Sequence, residues 1–207
     1  MFKGRFRYIY ISFLSVCARP VDIAFIVDAS AKVDRKNFLY IRNFLKQIVS
    51  SFSVSASITR FGMVEFSTNP RKLFDFNRFT NQETLVKALG RVPYMGGAPM
   101  AGKALKYAAA TLFARTTRPK VAIVISSGKS LDSVMAPARM LRRAGVTLIA
   151  VGLGQSFSVT QLRQMATTRR HVFASHFKTA NNIVRSIKEK ACKGTSHLYL
   201  EQNFKLC

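Results

Sequence analysis

A near-continuous apolar run from Val21 to Val27, which stops at Asp28, is the feature that most constrains the fold of this chain. Such a run suits a strand buried on both faces, as in a parallel sheet with helices on either side. Open α/β sheets place their ligands beyond the carboxyl ends of the strands. Asp28 and Ser30 follow the run and offer hard oxygens to a divalent cation, whereas Lys32 does not. These three residues are therefore the first candidates for a functional site.

The rest of the sequence alternates strand and helix patterns, which predicts one α/β domain. Asp34 is a candidate N-cap for a helix over 35–52, and residues 80–83 have the pattern of a capping box. The strand patterns at 58–66 and 72–76 flank a polar turn and predict an antiparallel pair at the edge of the sheet. Strands are also predicted at 120–125, 146–151 and 171–174, and helices at 103–114, 133–143, 159–167 and 180–190. The capping box opens a further helix that ends at about residue 90.

The balance of charge indicates an anionic partner. The chain has 33 Lys and Arg against 9 Asp and Glu, a formal net charge of +24. This surplus favours sulfated polysaccharide, nucleic acid, acidic protein or an anionic membrane surface, unless it is simply dispersed over the solvated surface. Glycosaminoglycan is favoured over nucleic acid, because no aromatic residues interleave with the basic clusters. The candidate polyanion-binding residues are Arg139, Arg142, Arg143, Arg163, Arg169 and Arg170.

The two ends of the chain indicate a secreted protein. Residues 1–18 have the pattern of a signal peptide or an upstream segment, with basic residues before an apolar run too short to span a bilayer. No transmembrane segment is predicted. The predicted domain covers 19–192, and 193–207 form a tail.

The three cysteines are Cys17, Cys192 and Cys207, and the first two flank the domain. A pair closing the domain is consistent with an oxidising compartment. Cleavage after Ala18 would remove Cys17, so the alternatives are an uncleaved segment, a fragment of a longer chain or a Cys192–Cys207 pair. Three unrelated thiols are a further alternative.

The sequence predicts no enzymatic activity. Residues 127–130 resemble the end of a phosphate-binding loop, but Ile123 stands where that motif needs a glycine. His171, His176 and His197 have neither metal-ligand spacing nor an obvious nucleophile beside them.

Five signatures in a fixed order give the chain a resemblance to a known family. They are Asp-Ala-Ser after the first strand, Phe-Gly-Met-Val-Glu-Phe-Ser, the Gly-Gly loop with Gly-Lys-Ala-Leu, Val-Ala-Ile-Val-Ile-Ser-Ser-Gly-Lys-Ser, and Ala-Gly-Val-Thr-Leu-Ile-Ala-Val-Gly-Leu-Gly. Together they resemble a von Willebrand factor type A domain of the collagen and matrilin type. The resemblance implies a doubly wound, mostly parallel six-stranded sheet with one antiparallel edge strand and helices on both faces. It also implies a secreted matrix or adhesion module with partners such as collagens, and a Cys17–Cys192 disulfide.

The same resemblance implies a metal-ion-dependent adhesion site, of which only a remnant is expected here. Asp28 and Ser30 match two ligand positions, while Lys32, Pro99 and Ser127 replace a serine, a threonine and an aspartate. Mg²⁺ needs near-octahedral oxygen ligation, usually with one or two carboxylates, so no bound metal or other cofactor is expected. Lys32 either folds back on Asp28 and supplies the positive charge internally, or points to solvent.

Overall fold

The computed structural model describes residues 20–193. Its strands are β1 (Val21–Asp28), β2 (Thr59–Phe66), β3 (Pro70–Phe74), β4 (Lys120–Gly128), β5 (Val146–Ser156) and β6 (Val172–Ser175). They form one sheet in the order β3-β2-β1-β4-β5-β6, in which only the edge strand β3 runs antiparallel. The predicted six-stranded, mostly parallel sheet is therefore confirmed, with β1 and β4 adjacent at its centre.

Helices cover both faces of the sheet. They are α1 (Arg35–Ser50), α2 (Gln82–Gly90), α3 (Ala101–Thr111), α4 (Met135–Arg143), α5 (Val159–Met165) and α6 (Val184–Lys193). One core cluster joins the sheet to α1, α2 and α6, and the other joins it to α3, α4 and α5. Phe25 of β1 belongs to the first cluster and Ile26 to the second, which explains why this strand is apolar at nearly every position.

The predicted element bounds differ from the structure in a few places. Asp34 is the N-cap of α1 as expected, with its Oδ1 accepting a hydrogen bond from Asn37 N at 2.7 Å. The N-cap of α2 is Asn81, one residue after the predicted Thr80, because the Asn81 carboxamide oxygen reaches Thr84 N at 3.0 Å. The last helix begins later than predicted, since residues Phe177–Ile183 form a 3₁₀ helix.

Some predictions fall outside the described part of the chain. The segment 1–18 and nearly all of the tail 193–207 lie there, together with Cys17, Cys207 and His197. Cys192 belongs to α6 and packs against the core cluster on that face. The Cys17–Cys192 pairing therefore stays a prediction. Within residues 20–193, no helix has the length and apolar character needed to cross a membrane.

Candidate functional site at the carboxyl edge of the sheet

Asp28 ends β1 fully buried and connects it to β4. Its Oδ1 accepts a hydrogen bond from Ser30 N at 2.9 Å, and its Oδ2 accepts one from Ser127 N at 3.0 Å. Burial raises the pKa of the Asp28 carboxyl above its usual value, while the hydrogen bonds from Ser30 and from the Ser127 amide oppose that rise. Each carboxylate oxygen thus accepts one hydrogen bond from a backbone amide.

Lys32 lies over the end of β4 with its side chain exposed. Its aliphatic stem covers Gly128 so closely that a Cβ at Gly128 would lie 2.5 Å from Lys32 Cγ. None of the ion pairs in the described chain joins Lys32 to Asp28. Of the two orientations predicted for Lys32, the structure therefore agrees with the one directed to solvent. Backbone amides, rather than the lysine, donate to the Asp28 carboxylate.

The Gly96-Gly97 loop pairs with the loop after β1. Gly96 N donates to Ala29 O at 2.9 Å, and Ala31 N donates to Gly97 O at 2.9 Å. Gly96 has φ 71° and Gly97 has φ 82°, a left-handed backbone that glycine adopts without steric cost. These two glycines allow the loop to run close against the end of β1.

Pro99 connects this loop to the segment after β4 through its backbone. Its carbonyl oxygen accepts hydrogen bonds from Leu131 N at 2.9 Å and from Ser130 Oγ at 3.2 Å. Pro99 thus stabilises the site by main-chain contact, although it has no side-chain oxygen to offer a ligand.

Asp132 is a residue of this site that sequence reasoning missed. Met100, at the N-cap position of α3, provides no side-chain cap. The carboxylate of Asp132 instead accepts hydrogen bonds from Gly102 N at 2.8 Å and Lys103 N at 2.7 Å. A carboxylate is stabilised there by the helix dipole. The one available signal was that Asp132 is the sole acidic residue between 129 and 170.

The residues present at this edge do not fit the divalent cation that the family resemblance implies. Asp28 and Ser30 carry side-chain oxygens, but Lys32 and Pro99, at two of the other expected ligand positions, carry none. The Ser127 hydroxyl is buried without a hydrogen-bond partner where a second carboxylate would be needed. Within residues 20–193, no group of three or more His, Cys, Asp or Glu side chains is placed to hold a metal.

One of the six predicted polyanion-binding arginines also has a structural role. Arg142 Nη1 donates to the carbonyl oxygens of Gln164 at 2.9 Å and Met165 at 2.8 Å, at the end of α5. Burial, and secondarily the nearby charge of Arg139, lowers the pKa of Arg142. The guanidinium therefore links α4 to α5. The five arginines that remain exposed are Arg139, Arg143, Arg163, Arg169 and Arg170.

Arg142→Ala should destabilise the domain, because it leaves the last carbonyls of α5 without their donor. We expect a loss of about 1–2 kcal/mol and a melting temperature about 3–6 °C lower. Arg143→Ala, an exposed neighbour on the same helix, is the matched control and should change stability by less than about 0.5 kcal/mol. Equal losses in the two variants, measured by thermal unfolding, would contradict this role for Arg142.

Comparison with known proteins agrees with this architecture. A family model for the von Willebrand factor type A domain matches residues 22–189. Matrilin-1 of Gallus gallus is 31% identical over 180 residues, which cover 83% of this chain and 36% of the relative. The collagen alpha-1(XXI) chain of Xenopus laevis is 32% identical over 179 residues, which cover 84% and 19%. The chain thus spans about a third or less of the length of these relatives.

Solved structures of other proteins have a similar fold. Proximal thread matrix protein 1 from the mussel byssus matches with a TM-score of 0.80 and 26% identity, covering 86% of this chain and 47% of that one. A further structure of the same mussel protein, described as having a zinc-occupied MIDAS motif, matches with a TM-score of 0.80 and 29% identity over the same shares of the two chains.

Proposed function

Because the chain belongs to the von Willebrand factor type A domain family, we propose that it is a non-enzymatic module of the extracellular matrix that binds partner proteins without a divalent cation. Matrilins and collagens among its relatives support a matrix protein-interaction module. Secretion is part of the same proposal, and so are partners among extracellular matrix proteins such as collagens and matrilins. The relatives are much longer than this chain, so what they bind as whole proteins is only proposed for it.

Binding without a metal is supported by one observation: the protein's own hydrogen bonds already join the loops at the carboxyl edge of the sheet. The Asp28 carboxylate and the Ser127 amide join β1 to β4. The Ala29 carbonyl holds the Gly96 amide, and the Pro99 carbonyl holds the Leu131 amide. A surface ordered before binding avoids part of the entropic cost of association. A bridging cation is therefore not needed to shape it.

The described side chains also support a binding rather than a catalytic role. His171 Nδ1 lies 2.8 Å from Thr168 Oγ1, the geometry of a hydroxyl beside a base. A catalytic pair of this kind needs a third group that orients the base. Burial lowers the pKa of His171, and the nearby Lys190 lowers it further. The neighbouring charge that affects His171 is thus a cation, not the carboxylate that orients a catalytic histidine. Thr168 instead caps the 3₁₀ turn through Arg170 N.

Surface plasmon resonance tests the proposal directly. The full chain is immobilised, and fibrillar collagen and matrilin-1 are passed over it in millimolar Mg²⁺ and again in EDTA. We expect binding to at least one of the two, with affinities in the two buffers that agree within about twofold. Loss of binding in EDTA would contradict metal independence. Failure of both proteins to bind in either buffer would contradict their assignment as partners.

Glycosaminoglycan binding is the second candidate, favoured by the net charge of +24 and the five exposed arginines of the predicted set. Such binding should weaken steeply as salt concentration rises, because it is driven by counterion release. A packed protein interface should respond much less. A salt titration of heparin and matrilin-1 binding on the same surface separates the two functions.

A further inference from the structure

Four of the five most exposed large apolar side chains in the described part of the chain lie at one corner of the domain. Leu131 is 70% exposed, Met135 and Met140 are each 45% exposed, and Val159 is 46% exposed. We call this set the α4 corner. The first three belong to α4 and the loop before it, and Val159 begins the neighbouring helix α5.

Hydrogen bonds hold the two parts of the α4 corner together. Ser130 N donates to Gln161 Oε1 at 2.7 Å, and Gln161 Nε2 donates to Ser130 O at 2.9 Å. Ser130 immediately precedes Leu131, and Gln161 lies two residues after Val159. The apolar side chains of the loop and of α5 are thus presented from a fixed frame.

A shallow cleft of about 440 Å³ crosses this corner along α4. Met135, Met140, Arg139 and Arg143 line it, with Ser133 and Ala136. Residues 135, 139 and 143 are four apart and therefore share one face of the helix. The cleft thus combines an apolar floor of two methionines with two exposed guanidinium groups.

The charge of the cleft is uncompensated. Arg139 and Arg143 take part in none of the ion pairs of the described chain. Asp132 is the only acidic residue between 129 and 170, and both its oxygens accept hydrogen bonds from the amides of α3. Lys129 and Arg163 add further exposed positive charge to the same region. The charge of this cleft therefore favours an acidic occupant.

We propose that the α4 corner binds an acidic polypeptide segment that also carries apolar side chains. This inference rests on the proposed function and assigns a surface and a partner chemistry to it. Arginine pairs well with carboxylates through its planar fork of donors. Methionine adapts to irregular apolar partners, and exposed apolar patches rimmed by polar residues mark interaction sites.

The apolar part of the corner selects a polypeptide over a polysaccharide. A glycosaminoglycan would satisfy Arg139 and Arg143 but would leave Leu131, Met135 and Met140 without apolar contacts. A peptide that alternates glutamate and leucine presents carboxylates and apolar side chains together, so it covers both parts of the cleft.

The test uses a fluorescein-labelled peptide of alternating glutamate and leucine, whose binding to the full chain is followed by fluorescence anisotropy. We expect Arg139→Gln with Arg143→Gln to weaken binding by about tenfold, and Met135→Ser with Met140→Ser to weaken it by a similar factor at unchanged charge. A second cleft, which we call the α1 cleft, is lined by Arg35, Lys36, Leu39, Arg42 and Tyr94. The matched control is Arg35→Gln with Lys36→Gln, which removes two exposed charges from the α1 cleft. Its effect should stay below about twofold.

Several results would overturn the proposal. It is overturned if the unmodified chain does not bind the peptide. Unchanged affinity in the methionine double variant, or equal affinity for a peptide with serine in place of leucine, would also overturn it, because a polyanion surface behaves in that way. An equal loss in the α1 control would show that only net charge matters. Thermal unfolding of each variant checks that these surface substitutions leave the fold intact.

The same variants separate this inference from the proposed function. If the unmodified chain binds neither fibrillar collagen nor matrilin-1, the assigned partners fail while the peptide experiment still decides the α4 corner. If it binds them and the α4 variants bind them equally well, but lose the peptide, the α4 corner serves another partner. If the α4 variants also bind the peptide as tightly as the unmodified chain does, the inference about the α4 corner fails and the proposed function stands.

Discussion

Gly102→Ala is expected to lower the free energy of unfolding by about 3 kcal/mol, since overpacking and a lost helix cap act together. A Cβ at Gly102 would lie 2.2 Å from the carbonyl oxygen of Ser133 and 2.8 Å from Asp132 Oδ2. The first of these atoms is backbone and cannot rotate away. The segment 130–134 must therefore move off α3, and the Asp132 carboxylate then loses its hydrogen bonds to the helix amides. Thermal unfolding should show a melting temperature about 6–12 °C lower.

Gly90→Ala is the matched control for this substitution. Gly90 ends α2, and nothing lies within 4 Å of a Cβ built there. An alanine should leave stability unchanged or raise it by less than about 1 kcal/mol, because it restricts the unfolded chain. If Gly102→Ala melts as close to the unmodified chain as Gly90→Ala does, the close packing of segment 130–134 on α3 is contradicted.

Combined substitution of Lys32→Ser, Pro99→Thr and Ser127→Asp is expected to create metal-dependent stability. Asp28 Oδ2 already lies 3.0 Å from Ser127 N, so a carboxylate at position 127 would lie close to the buried Asp28 carboxylate. Two adjacent buried carboxylates repel each other, so without metal the variant should be less stable than the unmodified chain at neutral pH. Mg²⁺ at about 100 times its dissociation constant should then restore about 2.7 kcal/mol.

Partial restoration provides the control. Lys32→Ser with Pro99→Thr supplies hydroxyl oxygens but no second carboxylate, so Mg²⁺ should leave its melting temperature unchanged. A metal response in this double variant, or its absence in the triple variant, would contradict the placement of the three positions around Asp28.

The central strands of the fold could be predicted from the sequence because burial on both faces has a direct signature. Residues 23–27 of β1 and 121–125 of β4 are all apolar, and the structure places the two strands side by side. Asp22 interrupts the first run, and its partner could not be predicted. Its carboxylate is fully buried and accepts hydrogen bonds from Arg60 Nε at 2.7 Å and Arg60 Nη2 at 2.6 Å, from a residue 38 positions away. Sequence patterns report local periodicity, whereas this pair depends on the register of β1 against β2.

The same limit applies to the candidate site. Asp28 and Ser30 belong to the same short loop in the sequence, so they could be identified together. Asp132 could not, because its contacts with the first turn of α3 span about 30 positions of the chain. The sequence shows the charge of Arg142, which predicts a polyanion surface, but not its carbonyl partners on α5, which only the fold brings together. Side chains that connect distant segments are identified only once the fold places those segments together.

Thermal unfolding of the unmodified chain in EDTA, Mg²⁺ and Mn²⁺ tests the central claim, that the carboxyl edge of the sheet is closed by the protein's own hydrogen bonds. A cation that binds the native state must raise the melting temperature by mass action. Because Lys32 and Pro99 offer no side-chain oxygen and Ser127 no carboxylate, and because backbone amides already order Asp28, we predict melting temperatures that agree within about 1 °C in the three buffers. A rise of several degrees with either metal, lost in an Asp28→Asn variant, would contradict the account.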